Sequence, residues 1–243
     1  MTLNDERISI GNIPFVYMLL DSSNNPGNIP NSMPFSLEIR NGVISQQKSM
    51  ITDRVLKAAY SSGSTISGQM DDFGNGKEYA DEFLSYIEKN ACDIKGKKIL
   101  EIGCGTGYLL SCLKEMGGRC LGIEPGESAE YGRKKFGVEI IRGFFDKEIF
   151  KEKFDYIIFY CVLEHINEIE IFLSDVKSIL NCDGTVLIAV PNCADQIFGG
   201  DISMLLSEHW SYFTGESLKF LLSQNNLFGD ITVSDSGGYC LPA

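Results

Sequence analysis

The sequence predicts an α/β fold built on a doubly wound, mostly parallel sheet, and three observations predict it. Short apolar runs alternate with amphipathic segments from residue 97 onward, one of those runs ends in a cluster of glycines, and the next ends in a carboxylate. Strand–helix alternation of this kind implies parallel strands covered on both faces, with ligands at the carboxyl ends of the strands.

The first 45 residues are rich in Asn, Ser, Pro and Gly, as in DSSNNPGNIPNSMPF. That composition fixes turns and interrupts both the helical and the strand period, so an irregular arm or lid is expected. TDRVLKAAY (52–60) and KEYADEFLSYIEK (77–89) carry apolar residues at three- and four-residue spacing and read as helices, with Tyr79, Phe83, Tyr86 and Ile87 in one stripe on the second. The expected division is an N-terminal arm with lid helices at 1–76 and a ligand-binding core at 77–243. Within the core, KKILEIG, RCLGIE, VEIIRG, FDYIIFYC and GTVLIAV are strand-like. Between the last two, Ile169, Phe172, Leu173, Val176, Ile179 and Leu180 follow the helical period. A further helix is expected over 216–224, and terminal strands over 230–233 and 239–241, which brings the strands to seven.

At 243 residues and 44% apolar content the chain can bury one full core. Its formal charge of −12, with Lys and Arg scattered, opposes binding to a phosphate backbone, so no nucleic-acid partner is expected. No apolar stretch is long enough to cross a bilayer and no basic segment leads into a cleavable apolar run; the expectation is a cytoplasmic protein without a membrane partner. The eight cysteines form no C-x-x-C pair and read as structural thiols rather than zinc ligands.

The densest signal is ILEIGCGTGYLL (99–110), an apolar strand running into Gly103, Gly105 and Gly107 and then a helix. Glycine suits a turn with positive φ and lets a ligand approach the backbone, and the helix offers unpaired amides at its start. Glu124, followed by Pro125, ends the next apolar run where nucleotide-binding folds place a carboxylate for ribose hydroxyls. The spacing is G-x-G-x-G with Glu101 ahead of it, unlike the G-x-G-x-x-G of a dinucleotide site.

From Glu78 to Pro242 the sequence resembles the class I S-adenosylmethionine-dependent methyltransferases, whose first motif has this form. The resemblance implies the Rossmann-like methyltransferase fold and S-adenosylmethionine as cofactor. Gly103, Cys104, Gly105 and Gly107 would line its methionine part and Glu101 would hold its amino group. Glu124 and Pro125 would lie at the ribose, and Phe145 and Asp146 in RGFFDK would flank and bond the adenine. Asp146 also reads as an ordinary helix cap. FDYIIFYCVLEHI looks like the fourth motif, with Cys161 at the strand end near the cofactor. A subgroup of the superfamily has E-x-x-E-H there and binds a divalent metal; here Cys161 replaces the first Glu, which argues against a metal site.

The stretch LSEHWSYFTGESL (206–218) holds the only Trp and one of two histidines. It is similar to the EHxxYF region of small-molecule methyltransferases, most of all the sugar methyltransferases of deoxysugar and surface-glycan pathways, which also share the pattern seen here as FGVEIIRGFF. By that resemblance the acceptor is a sugar, sugar nucleotide or glycan precursor, and the pathway carbohydrate biosynthesis. Methyl transfer needs alignment of the acceptor and, for a hydroxyl, removal of its proton. His209 is the expected base or orienting group, with Glu208 and His165 in support and no metal. Trp210 and Phe213 read as packing residues, His209 with Tyr212 as the exposed polar edge, and Thr214 as a plain helix cap without a capping box. Two other readings stand beside the enzyme: a non-catalytic S-adenosylmethionine-binding regulatory module and a nicotinamide-dependent oxidoreductase.

Overall fold

The computed structural model describes residues 7–14, 30–47, 49–61, 70–91, 93–234 and 239–242. In chain order its elements are β1 (Ile8–Pro14), β2 (Ser32–Arg40), β3 (Val43–Gln46), α1 (Met50–Ser61), α2 (Gly74–Asn90), β4 (Lys98–Ile102), α3 (Tyr108–Glu115), β5 (Arg119–Glu124) and α4 (Ser128–Phe136). There follow β6 (Ile140–Arg142), β7 (Phe154–Tyr160), α5 (Ile169–Ser178), β8 (Leu180–Pro191), α6 (Ala194–Gly199), β9 (Ser211–Tyr212), α7 (Gly215–Gln224), β10 (Ile231–Val233) and β11 (Tyr239–Pro242). Division at residue 76 follows the sequence pattern, whereas compactness groups the chain otherwise. One unit comprises Tyr60–Tyr160 and Ile171–Ile188; the other comprises Met1–Ala59, Cys161–Glu170 and Ala189–Ala243.

The first of these units carries the strands in the order β8-β7-β4-β5-β6. Pairing is parallel between β4 and β5, β4 and β7, and β5 and β6. β4 and β7 are buried almost throughout, as strands covered on both faces must be. Helix α3 buries Leu109, Leu110 and Leu113, and α5 buries Phe172, Leu173 and Val176, which are the apolar positions of their helical stripes. Helix α4 lies so close to the glycine loop that a Cβ on Gly132 would fall 1.9 Å from the Thr106 carbonyl oxygen. Only glycine permits that approach. Cys104, Cys112, Cys120 and Cys182 are thiols outside any disulfide, and of these Cys104 is buried.

In the other unit the expected irregular arm proves to be an antiparallel sheet, ordered β1-β2-β3-β9. The Asn- and Pro-rich stretch that suggested irregularity falls between β1 and β2, largely outside the described residues. Met33 and Phe35 of β2 alternate inward and are buried, the period-2 pattern of a half-covered strand. Asn41 and Gly42 join β2 to β3 with φ of 50° and 77°, the positive-φ pair that a two-residue hairpin demands. β9 adds the EHWSYFT stretch to this sheet, with Ile44 opposite Tyr212 and Ser45 opposite Ser211. The terminal strands β10 and β11 pair antiparallel, and β11 continues onto Val190 and Pro191 at the end of β8.

Candidate active site

The glycine loop is shaped by its backbone. Gly103, Gly105 and Gly107 all take positive φ, at 70°, 53° and 72°, and Gly107 caps the start of α3. Gly103 N–H and Cys104 N–H both donate to the Ile123 carbonyl, at 2.8 and 3.2 Å, tying the loop to the end of β5. Glu124, nearly buried, closes the arrangement: its carboxylate accepts from Gly105 N–H (3.0 Å) on one oxygen and from Gly126 N–H (2.7 Å) on the other, with Ser128 also bonded to it. Burial raises its pKa and these donors oppose the rise. Glu101 is buried beneath the loop at 3% exposure. Its Oε2 has no hydrogen-bond partner, and a Leu110 backbone amide serves the carboxylate otherwise. Desolvation and the neighbouring Glu124 charge push its pKa well above the usual carboxylate value. A buried carboxylate oxygen with nothing to accept is a standing cost that a cation or donor would remove.

Phe145 and Asp146 follow β6 in the same unit. Phe145 is half-buried among Phe150 and Phe172, at ring separations of 6.1 and 5.4 Å, while Asp146 is exposed and caps a short 3-10 turn by accepting from Glu148 N–H. The capping role is thus present, and it leaves the second carboxylate oxygen of Asp146 available.

The second cluster lies in the other unit. Cys161 ends the fourth-motif strand with φ of 52°, a left-handed conformation unusual for a side chain with a Cβ, and its N–H donates to the Ala189 carbonyl (2.8 Å). The turn that follows presents Glu164 and His165 on a 3-10 segment, Leu163–His165. The EHWSYFT stretch lies against it: Trp210 N–H donates to Glu164 O (2.7 Å), and His165 Nδ1 meets Glu208 O at 3.2 Å. His165 and His209 sit edge to face, 4.8 Å between ring centres. Gln46 N–H holds the far side through Trp210 O (2.9 Å), and the Gln46 side-chain amide, turned to donate, reaches His209 O and Ser207 O.

Burial dominates the electrostatics of this cluster. It pushes Glu164 up to about 8 and Glu208 up to about 7, and pulls His165 down to about 4 and His209 well below its ordinary value. Both imidazoles are therefore neutral at pH 7. Two expectations need correction. Tyr212 is not an exposed edge: it is 1% exposed, packed with Phe35 and Cys193, and its hydroxyl donates to Leu206 O (3.1 Å) and accepts from Leu206 N–H (3.3 Å). Position opposite Ile44 on β9 turns it inward. Thr214 does form a capping box, because Ser217 Oγ accepts from Thr214 N–H (2.9 Å) as a Glu would. Trp210 and Phe213 are buried, as packing residues should be.

Residues 74–228 match the family model described as "Methyltransferase domain". The chain belongs to this family. Among curated relatives of this methyltransferase-domain chain, the ubiquinone biosynthesis O-methyltransferase of Pelagibacter ubique (strain HTCC1062) is 31% identical over 105 residues, covering 41% of the chain and 44% of the relative. The chain spans about half the length of the curated relatives it matches. Solved structures share the fold. A SAM-dependent methyltransferase from Aquifex aeolicus aligns at TM-score 0.51 and 16% identity, over 67% of this chain and 86% of that one. A complex titled DhpI-SAM-HEP aligns at TM-score 0.53 and 20% identity, over 68% and 84%.

Within this family fold the expected cofactor residues divide by unit. Glu101, Gly103, Cys104, Gly105, Gly107, Glu124, Pro125, Phe145 and Asp146 fall in the unit of the parallel sheet, and Cys161 falls with the histidines. Sequence reasoning missed several contributors. Gly126 and Ser128 hold the Glu124 carboxylate, and Met70 O accepts from Thr106 Oγ1 (3.0 Å). Ser128 was findable as a hydroxyl at a helix start; Met70 had no local signal, since its contribution is a backbone carbonyl from a distant segment.

Proposed function

We propose that this chain is an enzyme that transfers a methyl group from S-adenosylmethionine to a hydroxyl oxygen of a small acceptor. The observation that carries the reading is the buried, unpartnered Glu101 Oε2 beneath a glycine loop whose backbone is held by Glu124. The cofactor's amino group is a cation suited to that oxygen. Glu124 keeps an acceptor position for a ribose hydroxyl beyond the three it gives to Gly105, Gly126 and Ser128, because an ionised carboxylate has about four acceptor positions. Phe145 and Asp146 serve the adenine, and Pro125 lies beside Glu124 at the ribose. When bound, the cofactor supplies an electrophilic methyl group.

His209, Glu208 and His165 receive the acceptor's hydroxyl and orient it; their neutral imidazoles offer nitrogen lone pairs rather than positive charge. The curated relatives, ubiquinone biosynthesis O-methyltransferases, favour oxygen as the methylated atom. They also favour a hydroxylated quinone precursor over the sugar or glycan precursor suggested by EHWSYFT.

Labelled S-adenosylmethionine incubated with a panel of hydroxylated quinone precursors and a panel of sugar nucleotides tests the reading. Label transferred to a hydroxyl of the first panel is the expected result, and His209→Ala should lower that turnover on the order of 100-fold with cofactor affinity unchanged. Cofactor binding without transfer to any acceptor would favour a regulatory module. A melting temperature raised by a nicotinamide dinucleotide and not by S-adenosylmethionine would favour the oxidoreductase.

A further inference from the structure

The loss of the first Glu from the fourth motif left Glu164 and His165 looking incomplete as a metal site. The fold supplies a third donor from the EHWSYFT stretch. One carboxylate oxygen of Glu164 and one ring nitrogen each of His165 and His209 lie within 4.8 Å of one another. Glu164 Oε1 and His165 Nε2 are already 3.7 Å apart. Donors on a tetrahedral ion with bonds of ~2.0–2.1 Å sit ~3.3 Å from each other, so closing by up to about 1.5 Å brings all three onto one centre.

We infer that Glu164, His165 and His209 form a binding site for a single divalent cation of the zinc class. This deepens the proposed function and rests on it only for the ion's use, not for its binding. Three features support the site independently of that use. Glu164 is 1% exposed and its Oε2 has no partner, an orphaned buried carboxylate oxygen within the cluster. The His165 Nδ1 contact with the Glu208 carbonyl fixes that nitrogen as the protonated one and leaves Nε2, the atom near Glu164, as a lone-pair donor. Cys161 hydrogen-bonds the Glu164 carboxylate, so the residue that replaced the expected ligand orients a ligand instead. Such outer partners are the usual companions of ligating carboxylates and imidazoles.

The donor set selects the metal. Two imidazoles and one carboxylate suit Zn²⁺ and its transition-metal neighbours, whereas Mg²⁺ prefers oxygen donors and keeps much of its water. Three protein ligands leave coordination positions open, the pattern of a catalytic rather than a structural zinc site. An ion held by these three residues would make a hydroxyl bound at an open position more acidic, so that its proton could pass to solvent water. His209 would then be a ligand and not the proton acceptor.

The test is Zn²⁺ binding by the chelator-stripped full chain, measured calorimetrically without cofactor or acceptor, with Mg²⁺ as the comparison ion. One Zn²⁺ bound per chain, no comparable Mg²⁺ binding, and at least ~100-fold weaker Zn²⁺ binding in both Glu164→Gln and His209→Ala is expected, a larger loss than removal of an outer partner causes. Absence of Zn²⁺ binding by the unmodified chain, or equal binding by the variants, overturns the site. Should a variant fail to fold, Co²⁺ added to the unmodified chain decides: visible bands of four- or five-coordinate intensity support the site, and the spectrum of hexaaqua Co²⁺ overturns it. Because binding is read apart from turnover, loss of the metal site and loss of the methyl-transfer reading are separate results.

Discussion

Replacing Glu101 by Gln should make the ligand-free protein more stable and the liganded protein less so. Glu101 is 3% exposed with Oε2 unpartnered, and its pKa stands well above the reference value of 4.5 because burial and Glu124 both disfavour the charge. The folded chain therefore holds this proton more tightly than the unfolded chain. Stability contributed by the protonated form is fully present below pH 4.5 and declines as pH rises through the raised folded value. Gln keeps the shape and removes the charge, so the gain over wild type should be absent at acid pH and grow toward pH 8. Relief of a charged, half-satisfied carboxyl is worth about 1 kcal/mol, or roughly 2–4 °C in Tm for a protein of this size. The same change removes the charge-assisted bond to the cofactor's amino group. At about 1.5–3 kcal/mol, that loss weakens S-adenosylmethionine binding roughly 10- to 150-fold. Differential scanning calorimetry at pH 5 and pH 8, with and without cofactor, reads both halves. A Gln variant with unaltered cofactor affinity, or with a lowered ligand-free Tm at pH 8, refutes the placement of the cofactor over Glu101.

Glu124→Ala strips the acceptor from Gly105 and Gly126 N–H, and should cost about 1–3 kcal/mol in urea unfolding along with at least ~10-fold in cofactor affinity; equal affinity by calorimetry would remove Glu124 from the ribose. Gly132→Ala places a Cβ 1.9 Å from the Thr106 carbonyl, and the required shift of α4 should cost about 1–3 kcal/mol, seen as a fallen Tm; an unchanged Tm would mean that helix and loop are not packed this closely. Thr214→Ala opens the capping box at α7 and should lose about 1 kcal/mol of stability by chemical denaturation, whereas no loss would leave the cap without energetic weight.

What could be read from the sequence is what the backbone or a local period imposes. Gly103, Gly105 and Gly107 are needed at positive φ, and the strands that flank them are buried on both faces, so both leave marks in composition and run length. The N-terminal sheet left a mark as well, Asn41-Gly42 between two alternating segments, but the Pro- and Asn-rich connection before it outweighed two residues. Tyr212 was out of reach for a different reason. A two-residue strand has no period, and which way its side chains point depends on pairing with β3, far away in sequence. Ser217 is shorter than the Glu or Gln of the familiar capping box, yet its hydroxyl accepts the same bond.

The histidine cluster joins these two kinds of information. Glu164 and His165 are fixed by a local turn whose strained Cys161 marks the strand end, but His209 arrives through the hairpin of β2 and β3, which positions β9 by Gln46 and Ile44. The hairpin and the third donor are therefore linked, since the N-terminal sheet pairs with β9 and holds Trp210 O, next to His209, through Gln46 N–H. It follows that the chemistry of this unit depends on β3: Gln46→Ala, which removes the side-chain amide from the His209 and Ser207 carbonyls, should loosen Zn²⁺ binding while leaving the Glu101 and Glu124 responses to cofactor unchanged. Metal affinity that ignores this change would mean that the Gln46 amide does not hold His209 in place beside Glu164 and His165.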